Sequence, residues 1–557
     1  MSKSFSIDEV KSHNKEGDCY IVVDNGVYDV SGFLNDHPGG KKILLRNAGK
    51  DSSKQFWKYH NASILKKYQP KLQIGTIGSG EGQSPQTNAA GDSKPQSVLQ
   101  REPVPSNTNA VATPPTDAKK PVQNDPSEAG HFGDLIPFGD PAWYQGYRSP
   151  YYKDSHVRLR AEVREWVETE IMPFCAEWDE AKKMPESVYE SMGQRGYLAG
   201  ALGVHYPTKY TDIRVKAVPA EEWDHFHELI LTDELSRCGS GGAVWNLIGG
   251  YGIGLPPLYK FAKEPLKKRV VPDCLAGKKR ICLAITEPDA GSDVANLTTT
   301  AKLTEDGKHY IVNGEKKWIT NGILADYFTT AVRTGKPGMN GVSLLCIEKT
   351  MPGVSTRQMN CMGVFASGTT YVTFEDVKVP VENLIGKENQ GFKVIMTNFN
   401  HERIGIIIQS NRFARVCYEE AFKYSLKRKT FGQRLFDHPV INMKLAQMGR
   451  QLEAAHAKLE DIVYQTVKMD ETEAMLVLGG AVAGLKAQST LMFEFCAREA
   501  AQIFGGLSYS KGGQAEKVER LYREVRAYAI PGGSEEIMLM LSIKQGTKVA
   551  QAMGAKI

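Results

Sequence analysis

In the segment CYIVVDNGVYDVSGF (residues 19–33) apolar and polar positions alternate, which predicts a β-hairpin closed by an Asn-Gly turn. Short helical stretches follow up to about residue 78. A different texture starts at Ser79. As far as about Gly133 the chain is rich in Pro, Ser, Asn and Gln, and residues 79–130 carry no aromatic residue. Such a stretch cannot bury enough apolar surface to offset its ordering entropy, so 79–135 is expected to be a disordered tether. At about 55 residues, a flexible tether reaches roughly 40 Å end to end.

Beyond the tether the periods change twice. LRAEVREWVETEIMPF places Leu159, Val163, Trp166, Val167 and Ile171 on one helical stripe, and helices are expected from 136 to 279. From 280 to 388 short β-branched runs such as YFTTAVRTG and TTYVTFEDVKVP alternate with Asp-Gly and Asn-Gly turns. Helical patterns return over 389–557. Helices, a β block and helices again, without βαβ alternation, predict a multidomain α+β chain: a small front domain (1–78), then a helical, a β and a second helical region. The glycines of GGYGIGLPP (249–257) lack both a preceding strand and the spacing of a nucleotide loop, so close helix packing or a turn before Pro256 is expected there.

Composition narrows the class without naming it. At 557 residues, with 41% apolar and 24% charged residues, the chain suits several globular domains. A net charge of +5 with no dense basic block argues against nucleic acid as a partner, and no apolar run is long enough for a membrane span. The nine cysteines form no C-x-x-C pair, which fits reduced thiols. The first residues lack a secretory or mitochondrial leader pattern. The final Ala-Lys-Ile is a relaxed form of a peroxisomal address, so a peroxisomal or cytoplasmic location is expected.

Candidate chemistry in the front domain lies in the pair His37 and His60. Gly39 and Gly40 beside the first would let backbone approach a flat ligand closely. Two imidazoles from opposite sides would saturate haem iron, leaving a carrier of electrons. DHPGGKKILL, AGKDSSKQF and LKKYQPKLQIGTI resemble the cytochrome b5 family along the whole front domain. The resemblance implies haem b with His37 and His60 as axial ligands.

The rear unit carries LAITEPDAGSD (283–293), KKWITNG (316–322), RKTFGQRL (428–435), QIFGG (502–506) and IPGGSEEIM (530–538). Hydroxyls, a flat indole, a fixed bidentate cation and paired glycines suit a large planar ligand bearing a pyrophosphate. In this order the segments resemble the acyl-CoA dehydrogenase family over about 145–550. The resemblance implies an α-helical bundle, a β-barrel and a second α-helical bundle, with FAD, an acyl-CoA substrate and a homo-oligomer, dimer or tetramer, whose cofactor sites lie at subunit contacts. It implies Ile285, Thr286, Ser292, Trp318 and Thr320 around the isoalloxazine, and Arg428, Thr430, Phe431, Gln502, Gly505, Gly506 and Ser534 on the rest of FAD.

Oxidation between Cα and Cβ of a thioester needs a carboxylate for the α-proton and donors for the carbonyl. Gly532 stands where many members of that family carry the glutamate. In VIMTNFNHERIGIIIQSNRF (394–413) Ile395, Phe399, Glu402 and Ile406 recur at helical intervals, an apolar stripe with one carboxylate. The long-chain and isovaleryl branches put their base in a similar helix, which implies Glu402 as catalytic base, Arg403 near the CoA side and the Gly532 N–H as a carbonyl donor. The expected activity is an acyl-CoA dehydrogenase yielding a trans-2-enoyl-CoA and passing electrons to the fused haem, then to an external acceptor. Three alternatives remain: an enzyme using oxygen or an electron-transferring flavoprotein with a docking or regulatory haem domain, a non-dehydrogenating flavoprotein of the nitroalkane-oxidising or alkylation-response type, and a haem–flavin sensor without turnover.

Overall fold

The computed structural model describes residues 3–35, 37, 41–59, 62–78, 131–203 and 205–556. His60, Gly39, Gly40 and nearly all of the expected tether lie outside the described residues. The chain forms two compact units, α+β in class throughout.

In the front unit Asp18–Val23 pairs antiparallel with Gly26–Asp29. The turn is centred one residue earlier than the Asn-Gly motif implies. Asp24 (φ 47°) and Asn25 (φ 70°) occupy its left-handed positions, and Gly26 already lies in the strand. The glycine is used for close packing in the strand, where a Cβ on Gly26 would meet the Tyr28 ring at 2.8 Å. Gly26–Asp29 pairs next with Gln73–Ile77, which runs parallel to Lys3–Phe5. Phe5, Val10, Val22 and Val27 fill the small core beneath. His37 is half-buried, with Phe33 edge-on to it at 6.0 Å between ring centres.

The rear unit begins with helices that bury the predicted stripe: Leu159, Val163, Trp166, Val167 and Ile171 are at most 2% exposed. Gly250–Phe261 is a helix, not a ligand loop, because Gly254 lies against strand backbone and a Cβ there would meet Cys282 at 2.5 Å. Strands between Ile281 and Ile385 build one sheet whose long members His309–Ile319 and Thr370–Pro380 run antiparallel around an apolar core that includes Phe328, Val332, Leu345 and Phe374. The chain then enters the 37-residue helix Gly391–Lys427, hereafter the long helix, which packs on Gly479–Phe504. Among the described residues no single helix is long and apolar enough to cross a membrane.

Candidate active site

Residue type and period put Glu402 on the stripe that the long helix turns inward, where Ile395 is 2% and Ile406 7% exposed. Glu402 itself is half-buried. It lines a cavity of about 100 Å³ together with Thr320, Ile248, Ile253, Ile406 and Pro531. Burial pushes its carboxyl above the usual range, against the pull of Arg403, His401 and Lys486. A carboxylate so placed is poised to take up a proton.

The turn after residue 529 closes one side of this region. Gly532 has φ 68°, and a Cβ there would meet Ile406 Cδ1 at 2.9 Å, so a larger residue is strained and crowded at once. Two cations hold the turn. Arg403 Nε donates to the Gly532 carbonyl at 2.9 Å, and Lys486 Nζ donates to Ala529 O at 2.6 Å and Gly533 O at 2.7 Å. Arg403 is only 5% exposed and Phe399 lies beneath its guanidinium, so the side chain serves this turn from within. Burial pulls the Lys486 ammonium down to about 8, with Glu535 working the other way. Ser534 then caps the helix Glu535–Ala552. Sequence reasoning missed Lys486, whose one signal is a lysine inside the small-residue and apolar run GGAVAGLKAQ.

The first group of predicted flavin residues meets at strand ends. The Lys317 N–H donates to the Thr286 carbonyl at 2.9 Å, which brings ITEP beside KKWITNG. Behind them the buried Glu287 accepts from Thr298 N, Thr299 N and Lys316 Nζ, and Lys316 also donates to the Ile285 carbonyl at 2.9 Å. Burial works against the Glu287 charge, but the Lys316 ammonium outweighs it and holds the carboxyl down at about 2. Trp318 adopts φ 61° and leaves 48% of its surface open, an unfavourable backbone that presents an indole face. Thr320 continues from it into the Glu402 cavity. Ser292 is exposed on the turn beyond.

The second group lies elsewhere. Arg428 caps the C-terminal end of the long helix, Thr430 and Phe431 follow in a tight two-strand turn, and Gln502, Gly505 and Gly506 end the neighbouring helix. Tyr424 stacks on Phe504 at 4.4 Å and joins the two helix ends. Phe431 is 97% exposed, and nothing lies within 4 Å of a Cβ built on Gly505 or Gly506. Arg428 is twenty-six residues from Glu402 on one helix, roughly 39 Å along its axis. One chain therefore does not bring its two groups together.

The donor set fits FAD: an open indole face and threonine hydroxyls beside the cavity, and at the distant group an exposed guanidinium with two bare glycines that a phosphate-bearing ligand can approach. In the front unit the imidazole of His37 is the donor type haem iron takes, and His60 lies outside the described residues.

Comparison with known proteins agrees with these features. The descriptions "Acyl-CoA dehydrogenase" N-terminal, middle and C-terminal domain match residues 153–278, 282–377 and 389–546, and "Cytochrome b5-like Heme/Steroid binding domain" matches 6–78. The acyl-CoA dehydrogenase apdG of Emericella nidulans is 44% identical over 76% of this chain and 98% of its own. The acyl-CoA dehydrogenase AFT10-1 of Alternaria alternata is 42% identical over 75% of this chain and 97% of its own. The acyl-CoA dehydrogenase structure from Geobacillus kaustophilus superposes with a TM-score of 0.63 at 29% identity, covering 71% of this chain and 99% of that one. FAD and haem are the cofactors of these two kinds of domain. The chain thus belongs to the acyl-CoA dehydrogenase family, with a cytochrome b5-like haem domain ahead of the flavoprotein.

Proposed function

We propose that the protein oxidises an acyl-CoA between Cα and Cβ to the trans-2-enoyl-CoA and sends the electrons out through its own haem. The observation that carries this reading is Glu402, a lone carboxylate on an apolar stripe, sharing one cavity with Thr320 of the indole-bearing strand end. In this reading the Glu402 carboxylate takes the α-proton as the double bond forms. FAD, when bound, supplies hydride acceptance for the β-carbon, and haem supplies onward transfer of single electrons. Arg403 and Lys486 hold the Ala529–Gly533 turn so that the Gly532 N–H has a fixed place beside the thioester.

A homo-oligomer is part of the same reading. The roughly 39 Å between Glu402 and Arg428 leaves the Arg428 group to serve the cofactor of another subunit. Exposed Leu539, Met540 and Ile543 on one terminal helix supply apolar surface for such a contact.

The test is anaerobic stopped flow with acyl-CoAs of several lengths. Flavin bleaching should precede haem reduction, Glu402→Gln should keep FAD and lose bleaching, and His60→Ala should bleach without onward transfer. Undiminished bleaching in Glu402→Gln would reassign the base, and haem that stays oxidised beside reduced flavin would remove the haem from the pathway.

A further inference from the structure

The cavity that Glu402 lines has a polar wall. Glu228 and Thr232 stand one turn apart on the helix His225–Ser236, and His401 and Gln409 reach the same space from the long helix. Glu228 Oε1 and His401 Nε2 pair at 2.5 Å, while His401 Nδ1 is buried with no partner among the described residues. Gln409 is different. Its amide oxygen accepts from Trp245 Nε1 at 3.0 Å and from the Tyr528 hydroxyl at 3.0 Å. An indole N–H only donates, so the oxygen must face Trp245 and the amide nitrogen must point the other way.

Gln409 is 6% exposed and still lines the cavity. Among the described residues its Nε2 makes no hydrogen bond, and it is not among the side-chain atoms sealed off without a partner. Thr232 Oγ1 stands in the same condition one helix away. Gln409 lies seven residues beyond Glu402, about 10 Å along the helix. A plain alkyl chain entering this space would expel water and leave both donors unpaired, which disfavours binding by about ten-fold or more.

We propose that the acyl group taken by this cavity carries an oxygen function, a hydroxyl or a carbonyl, that accepts from Gln409 Nε2 and meets the Thr232 hydroxyl. The inference rests on the acyl-CoA reading above and names the class of acyl group within it. Trp245 and Tyr528 are positioning residues here, since they act by holding the amide oxygen.

Matched acyl-CoAs of equal chain length test it, one plain and the others bearing a hydroxyl or ketone at each position beyond Cβ in turn. The readout is the ratio of flavin-reduction efficiencies, oxygenated over plain, within each variant, so a general loss of activity does not distort it. The holoenzyme should favour at least one oxygenated acyl-CoA by about ten-fold or more. Gln409→Leu should collapse that ratio, and Thr232→Val should lower it less. Gln409→Glu, which keeps an acceptor for Trp245 and Tyr528 but removes the amide donor, should also lower it. A holoenzyme that is reduced by plain acyl-CoAs as well as by every oxygenated one, or a ratio unmoved in Gln409→Leu and Gln409→Glu alike, overturns this inference and leaves the dehydrogenase reading standing. Flavin that no acyl-CoA reduces overturns both.

Discussion

Lys486 Nζ lies 2.7 Å from the carbonyl oxygen of Gly533, and the same ammonium reaches Ala529 O, so one buried cation spans the turn that bears Gly532. Lys486→Met keeps the length and removes the donors. Each stranded carbonyl costs about 1–3 kcal/mol, so a lower melting temperature and a weaker grip on acyl-CoA are expected. The pH dependence identifies the charge. Burial draws the folded pKa down to about 8, against about 10.4 for an unfolded lysine. Between those values the folded protein binds fewer protons than the unfolded one, so this group makes stability rise with pH there. Denaturant melts from pH 8 to 10 should show that rise in the native protein and a shallower one in Lys486→Met.

Gly532 cannot take the base back. A glutamate there must adopt φ near 68° and push its Cβ against Ile406. The backbone strain alone costs about 1–3 kcal/mol. Glu402→Gln combined with Gly532→Glu should therefore stay unbleached by acyl-CoA and melt below the single variant. Restored bleaching in the double variant would mean that the turn yields more easily than its two cationic clamps imply.

The sequence made Glu402 legible because a helix repeats every 3.6 residues, and a lone carboxylate on an apolar stripe stands out without any tertiary knowledge. Lys486 was not legible. A lysine between small residues reads as a solvated position, and its burial depends on carbonyls more than forty residues away. Glu287 sits inside a motif read for flavin contacts, yet it locks the scaffold behind them with Lys316. The motif segments also hid their own separation. Their order along the chain carries no distance, and only the straight run of the long helix sets Arg428 so far from Glu402. Gln409 was invisible for a related reason: its meaning lies in Trp245, which points the amide, and no local pattern joins the two.

The charge around Glu402 sets the pH profile of substrate oxidation. The carboxylate must be ionised to take a proton, so the flavin-reduction rate should rise with pH through its raised pKa. Arg403, His401 and Lys486 all favour the ionised form. Burial disfavours a charged His401, but the neighbouring Glu228 outweighs it and raises that pKa. Replacing His401 by Gln removes one nearby cation, so the rising limb should move to higher pH. A limb that stays in place would show that the Glu228–His401 pair acts as a neutral unit towards the base.

FAD retention should depend on assembly. The residues near Glu402 offer an indole face and hydroxyls, whereas the guanidinium and the two bare glycines stand about 39 Å away on the same chain. If a second subunit supplies the distant group, dissociation strips each cofactor of half its contacts. Absorbance after gel filtration at falling protein concentration measures this directly, with haem as the internal count of chains. The FAD-to-haem ratio should fall over the range where the oligomer dissociates. Arg428→Ala should lower it at every concentration, because a charge-assisted pair of about 1.5–3 kcal/mol corresponds to roughly ten- to hundred-fold in affinity. Full FAD occupancy in a monomer, or an Arg428→Ala protein that keeps its flavin on dilution, would assign both halves of the site to one chain and make the long helix the wrong ruler.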